Sequence, residues 1–134
     1  MQKEYKINQV NPSKGALDFS YLLDAPAGKH GFVQAKNGHL YYEDGTRARF
    51  LGFNMATRSN AVNHELAEKL AGRFASLGVN VIRLHAVDAP IGEQERSWFS
   101  CKEAPLLDYE KGTSRFFHPE GLDRFDYFVA TTSW

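Results

Sequence analysis

The sequence predicts an α/β fold, a β-hairpin followed by strand–helix units that lay parallel strands side by side. Three observations carry this. Asn37-Gly38 separates two short runs of strand formers, and both positions tolerate positive φ, which is the strongest short-range hairpin signal. Leu66, Leu70 and Phe74 recur at four-residue spacing with Ala67 and Ala71 beside them, the pattern of one helix face. Val79, Val81 and Ile82 then form a β-branched run with no polar alternation before Arg83, as in a strand covered on both faces in a parallel sheet with helices outside.

Taken in order, residues 1–30 read as an irregular lead-in. Pro12, Gly15, Pro26 and Gly28 punctuate it, and only Leu17–Leu23 is apolar enough to pack. Gly31–Ala35 and Leu40–Tyr42 are the hairpin strands, Glu43-Asp44-Gly45 is a second turn, and Arg47–Phe53 is a third strand. Asn63–Leu77 is the clearest helix. Asn60 or Asn63 can cap its start, and Gly78 stands where a glycine in left-handed conformation ends a helix. Val79–Leu84 is the next strand. Asp88–Phe117 is a connection longer than structureless loops usually are, and such loops tend to be functional or disordered. His118-Pro119-Glu120 opens a second helix, with proline at its first position and an acid at the positive end of the dipole. Its apolar side is Leu122, Phe125 and Val129, with Phe128 nearby; Thr131-Thr132-Ser133-Trp134 are indifferent helix formers.

A strand, a helix and a strand joined by a short turn make a βαβ unit with a right-handed crossover. The expected architecture is a partial (β/α)₈ TIM barrel, its first two βα units preceded by an N-terminal β-hairpin. The 134 residues fall well short of the roughly 250 that a closed barrel uses. The chain therefore divides into the lead-in, 1–30, and a truncated barrel part, 31–134. Its open strand edges admit self-association.

Composition narrows the function classes. Lys plus Arg and Asp plus Glu both number 16, so no basic excess points to nucleic acid. No apolar run approaches the ~18 residues of a membrane span, and no apolar segment near Met1 resembles a secretion signal, so localisation stays undetermined. Cys101 is the single cysteine, without a partner motif around it. The five histidines make no metal-ligand spacing, and no phosphate-binding glycine pattern occurs, so no metal or cofactor is expected.

Strand parity then picks out candidate site residues. Val81, Arg83 and His85 share one face of their strand, while Ile82 and Leu84 share the other and should meet the helices. Asn54 ends the preceding parallel strand. In barrels the active site gathers at the C-terminal strand ends, so Asn54, Arg83, His85 and Asp88 are the expected substrate-binding residues. Each has a structural alternative: an ion pair for Arg83, a satisfied core position for His85, a strand cap for Asn54, a turn for Asp88. Trp98, Phe99, Phe116 and Phe117 in the long loop could stack on sugar rings, although aromatics more commonly pack.

These residues also carry a family resemblance. The phrase from Gly38 to Arg47 leading into Arg49-Phe50-Leu51-Gly52-Phe53-Asn54 resembles the opening of cellulase-like glycoside hydrolases, the clan A (β/α)₈ barrels related to family 5. Leu77-Gly78-Val79-Asn80-Val81-Ile82-Arg83-Leu84-His85 resembles their LGxNxxRxH segment, and Asp108-Tyr109 through Phe117 to Tyr127 resembles their second loop and helix. The resemblance spans about Gly31–Ala130; relatives continue with a lysine-lysine-x-glycine-isoleucine turn where this chain has Thr131-Thr132-Ser133-Trp134. It implies a hydrolase acting on β-linked oligo- or polysaccharides, often secreted or periplasmic, with Arg83 bonding the catalytic nucleophile and Asn54 and His85 lining a sugar subsite. It also implies acid/base and nucleophile glutamates on the fourth and seventh strands, beyond the C-terminus of this chain. The expectation is the N-terminal fragment of a retaining glycoside hydrolase, inactive alone. A non-catalytic carbohydrate-binding or structural module, and a truncated product without independent function, remain open as alternatives.

Overall fold

The computed structural model describes residues 18–88 and 105–133. Among these, Val33–Lys36 (β1) and His39–Tyr42 (β2) form the hairpin. Asn37 and Gly38 both take positive φ, 52° and 75°, as a two-residue turn between twisted strands demands. The second turn closes through the Gly45 amide on the Tyr42 carbonyl, 3.0 Å.

The third strand lies later than expected. Arg47 makes only a single bridge with Tyr41, and the strand proper is β3, Gly52–Ala56. The cause lies at Leu51 and Gly52. The Leu51 amide and carbonyl are bonded to Asn80, and Gly52 is where β3 comes against Val81. A Cβ at Gly52 would sit 2.5 Å from Val81 Cγ1 and 2.6 Å from the Val81 carbonyl oxygen, so only glycine allows that approach.

Helix α1, His64–Ser76, starts as its sequence requires: the Asn63 side chain accepts from the Leu66 amide at 2.9 Å. Gly78, at φ 71°, ends it. Strand β4, Val81–His85, follows and pairs parallel with β3, Gly52 beside Val81 through Ala56 beside His85. Helix α2, Pro119–Thr132, begins on His118, whose ring accepts from the Gly121 amide at 3.3 Å, with Pro119 at its first position. It continues through Thr131 and Thr132; the Thr132 hydroxyl donates to the Phe128 carbonyl at 2.8 Å, which suits a β-branched residue to a last turn.

Both helices cover one face of the parallel pair. The core holds Met55, Ala67 and Phe128, flanked by Leu70, Phe74, Ile82 and Leu84, and Phe53 stacks on Phe74 with ring centres 5.6 Å apart. On α1 the buried line is Ala67 and Ala71, while Leu66 is exposed. On α2 it is Gly121 and Phe128, two turns apart, and Val129, expected inward, is exposed. Small residues set these faces because close approach, not side-chain size, decides them: Gly121 lies directly against the Pro105 carbonyl. The long connection, where described, contains a 3₁₀ turn at Tyr109–Lys111 and a bridge from Leu107 to Phe117. In the lead-in, Ser20–Leu22 forms another 3₁₀ turn, and the Phe19 amide donates to the Ser76 carbonyl at 2.8 Å.

The described residues thus form a small α/β structure with two α-helices and two two-stranded sheets. No closed barrel is formed among the described residues, and β3 and β4 each keep one unpaired edge.

Candidate functional site

Register decides which side chains meet. Asn54 on β3 stands beside Arg83 on β4, and Ala56 stands beside His85. Because Phe53, Met55, Ile82 and Leu84 face the helices, Gly52, Asn54, Ala56, Val81, Arg83 and His85 share the uncovered face. The expected parity of the second parallel strand therefore holds, and the face lies open to solvent.

Three of the four expected residues come together there. Arg83 Nη1 donates to Asn54 Oδ1 at 2.8 Å and to His85 Nδ1 at 3.0 Å. A guanidinium has no acceptor, so His85 Nδ1 must accept, which leaves Nε2 to carry the ring proton. The consequence is a wall of donors: the Asn54 amide nitrogen, the remaining Arg83 nitrogens and His85 Nε2. Among the described residues no carboxylate pairs with Arg83, so its charge faces outward. Such a wall suits a ligand rich in oxygen acceptors, a polyol or a carboxylate.

Asp88 is not brought into this group by any hydrogen bond or ion pair among the described residues. Its carbonyl accepts the Tyr109 hydroxyl, tying the turn after β4 to the 3₁₀ turn of the long connection. Burial, and then the Asp88 charge, push the Tyr109 phenol above its ordinary range. Phe116 and Phe117 are about half exposed. Trp98 and Phe99, the other two aromatics expected as stacking surfaces, lie outside the described residues, as do Cys101 and residues 1–17.

Two further asparagines organise the strand ends. At the N-terminal end, Asn80 Oδ1 accepts from the Leu51 amide and its Nδ2 donates to the Arg49 carbonyl, both at 2.8 Å. At the C-terminal end, Asn60 is 2% exposed and donates from Nδ2 to the His85 carbonyl at 2.8 Å. It does not cap α1, which Asn63 does. Its Oδ1 is buried with no hydrogen-bond partner among the described residues. Thr57 and Ala86, the residues directly after β3 and β4, take φ of 51° and 49°, a left-handed conformation unusual for non-glycine residues and most of all for a β-branched one. Sequence patterning gives no signal for these tips, since strain and long-range side-chain bonds leave no periodicity.

No group of His, Cys, Asp and Glu is placed to hold a metal ion among the described residues. No helix there is long and apolar enough to cross a membrane. Comparison with protein-family models, with characterised proteins and with solved structures finds no match.

Proposed function

We propose that this chain is the opening part of a retaining glycoside hydrolase of the (β/α)₈-barrel kind, acting on β-linked glycans, and that the face bearing Asn54, Arg83 and His85 lines its sugar site. The observation that carries the reading is the hydrogen-bonded Asn54–Arg83–His85 group on the uncovered face of a parallel pair, near the C-terminal strand ends. The resemblance in the segments around Asn54 and from Leu77 to His85 supports it, as does the one-sided covering of the sheet. The free edge of β4, beside an apolar groove of about 830 Å³ bordered by Ile82, Leu84, Phe128 and Val129, offers a flank for a further strand.

In this reading the residues here bind and orient. Asn54 Nδ2 and His85 Nε2 donate to sugar hydroxyls. Arg83 keeps donors free for a carboxylate, which it holds ionised and aimed across the face. Retaining chemistry needs two carboxyl groups about 5 Å apart across the scissile bond. In the barrels that this chain resembles both stand on the fourth and seventh strands, so in this reading the two βα units described here bind without cleaving.

The test is a titration of the ¹⁵N-labelled chain with β-linked cello-, xylo- and manno-oligosaccharides, beside a hydrolysis assay on chromogenic β-glycosides. Expected are shifts at Asn54, Arg83 and His85 in the millimolar range and no turnover. Absence of shifts there with every glycan would refute the sugar site, and turnover by this chain alone would refute the assignment of the carboxylates. Shifts confined to Phe116 and Phe117 would favour a non-catalytic carbohydrate-binding module.

A further inference from the structure

A second bonded side-chain group among the described residues involves none of Asn54, Arg83 and His85. His30, in the lead-in, has Nε2 2.6 Å from Asp24 Oδ2 and Nδ1 2.5 Å from Asp44 Oδ2. Asp24 belongs to the same lead-in loop, whereas Asp44 belongs to the turn after β2. The ring also lies on Tyr42, with centres 5.4 Å apart. Carboxylates only accept, so both contacts are hydrogen bonds only when both ring nitrogens carry protons. The imidazolium is thus the species that fits this geometry.

We propose that His30 is a pH-operated latch: as imidazolium it fastens the loop from Asp24 to Gly31 onto the β2 turn, and on losing a proton it releases the His30 end of that loop from the groove beside β4, while the Ala27 amide stays bonded to the Ser133 carbonyl at 3.1 Å. A neutral ring has one N–H, so one of the two carboxylates is left facing a lone pair, whichever tautomer forms. The loop is one wall of the 830 Å³ groove, whose other side is built from Ile82, Leu84, Phe74 and Phe128. Release therefore uncovers apolar surface on the helix side of β4. The inference does not depend on the glycosidase reading, since it uses neither Asn54, Arg83 nor His85.

The surrounding charges favour the closed form in a defined window. Within the loop, Lys29 pairs with Asp24. From the β2 turn, the Thr46 amide donates to Asp44 Oδ1 at 2.8 Å, and the Glu43 side chain lies against Gly31. Tyr42 contributes its ring, and Arg47 and Arg49 line the same groove. Bonding to Asp24, and then to Asp44, raises His30 above the ordinary 6.5. Lys29 first and His30 second lower Asp24 below 3.8, and the Thr46 amide first and His30 second lower Asp44 likewise. The raised histidine contributes fully below 6.5, and its contribution is lost as pH rises through its folded value. The lowered carboxylates contribute above 3.8, and theirs is lost as pH falls through their folded values. The latch is closed between these limits and opens on either side.

The experiment is an NMR pH titration of the intact chain, following the Cε1–H of all five histidines and the backbone amides of residues 24–31 and 43–46, with hydrogen exchange measured alongside. Expected are a His30 midpoint above the ordinary 6.5, loop and turn amides that shift with that same midpoint, and loop exchange rising above it by severalfold more than the base-catalysed increase. His30→Gln, which cannot titrate, should abolish the coincident loop step, while Asp44→Asn should lower the His30 midpoint. A wild-type His30 midpoint at or below 6.5, or loop amides indifferent to it, would overturn the latch. Either result is read from the wild-type protein, so the proposal stands or falls even where a variant does not fold.

Discussion

Replacing Phe128 with alanine, beside a Val129→Ala control, asks which side of α2 faces the sheet and so which face of β4 is free. Phe128 is 1% exposed and packs with Met55 and Ala67, whereas Val129 is 39% exposed. Phenylalanine to alanine in a core costs about 3–5 kcal/mol. The neighbours Leu70, Phe74, Ile82 and Leu84 are only partly buried, so the site collapses in part and the lower end applies, about 3 kcal/mol. In a domain of this size that lowers Tm by roughly 10 °C. Val129→Ala, at the surface, should stay within about 0.5 kcal/mol. Thermal and urea unfolding followed by circular dichroism measure both. A Val129→Ala loss equal to or larger than that of Phe128→Ala would mean α2 is turned by about 100°, one residue's rotation. The packing that assigns Ile82 and Leu84 to the helices and Arg83 to the open face would then be wrong.

Three other outcomes follow from particular contacts. Asn63→Ala removes the side-chain acceptor of the Leu66 amide and should cost about 1 kcal/mol, read as a lower urea midpoint at unchanged slope. Gly52→Ala drives a methyl into Val81 and should cost about 1–3 kcal/mol; a neutral effect would show that β3 and β4 are not in the register described. Arg83→Met leaves stability within about 0.5 kcal/mol because the side chain is exposed, yet it should move the Asn54 side-chain amide and the His85 ring resonances together; unmoved resonances would deny the three-residue group.

What the sequence made legible was what periodicity and turn chemistry encode. Asn37-Gly38 fixed the hairpin, and the alternation through Val81–His85 correctly separated the helix-facing from the open side chains. Proline and asparagine at helix starts located both helices to within a residue. The misreadings share a cause in close approach. Helical spacing puts Leu66 and Val129 on the inward stripes, but Ala67 and Ala71, at the edge of one stripe, and Gly121 let backbones come together and so define the contact faces. Arg47–Leu51 read as strand by composition, yet Asn80, 29 residues on, takes the Leu51 backbone groups and delays the ladder to Gly52. Asn60 illustrates the same limit: its bond to the His85 carbonyl joins residues 25 apart, which no local pattern can announce.

The two ends of the parallel pair differ in a way that bears on function. At the N-terminal end Asn80 has both side-chain atoms bonded. At the C-terminal end the buried oxygen of Asn60 has no partner among the described residues, and Thr57 and Ala86 are left-handed. An orphaned buried acceptor costs about 1–3 kcal/mol, and each left-handed non-glycine residue costs about 1–2. Unfavourable features gathered at the end that carries Asn54, Arg83 and His85 are what a site held in a demanding geometry looks like, while a merely structural end would have relaxed. Ala86→Gly tests this cleanly, because only a methyl is lost. In an unstrained position alanine to glycine costs roughly 0.5–1 kcal/mol. At φ 49° relief of strain offsets that, so stability should change by less than about 0.5 kcal/mol. The looser tip should at the same time weaken the Arg83–His85 bond, seen as broadened His85 ring resonances. A full unstrained loss of stability, with His85 unaffected, would mean that Ala86 bears no strain and that the tip does not position the group.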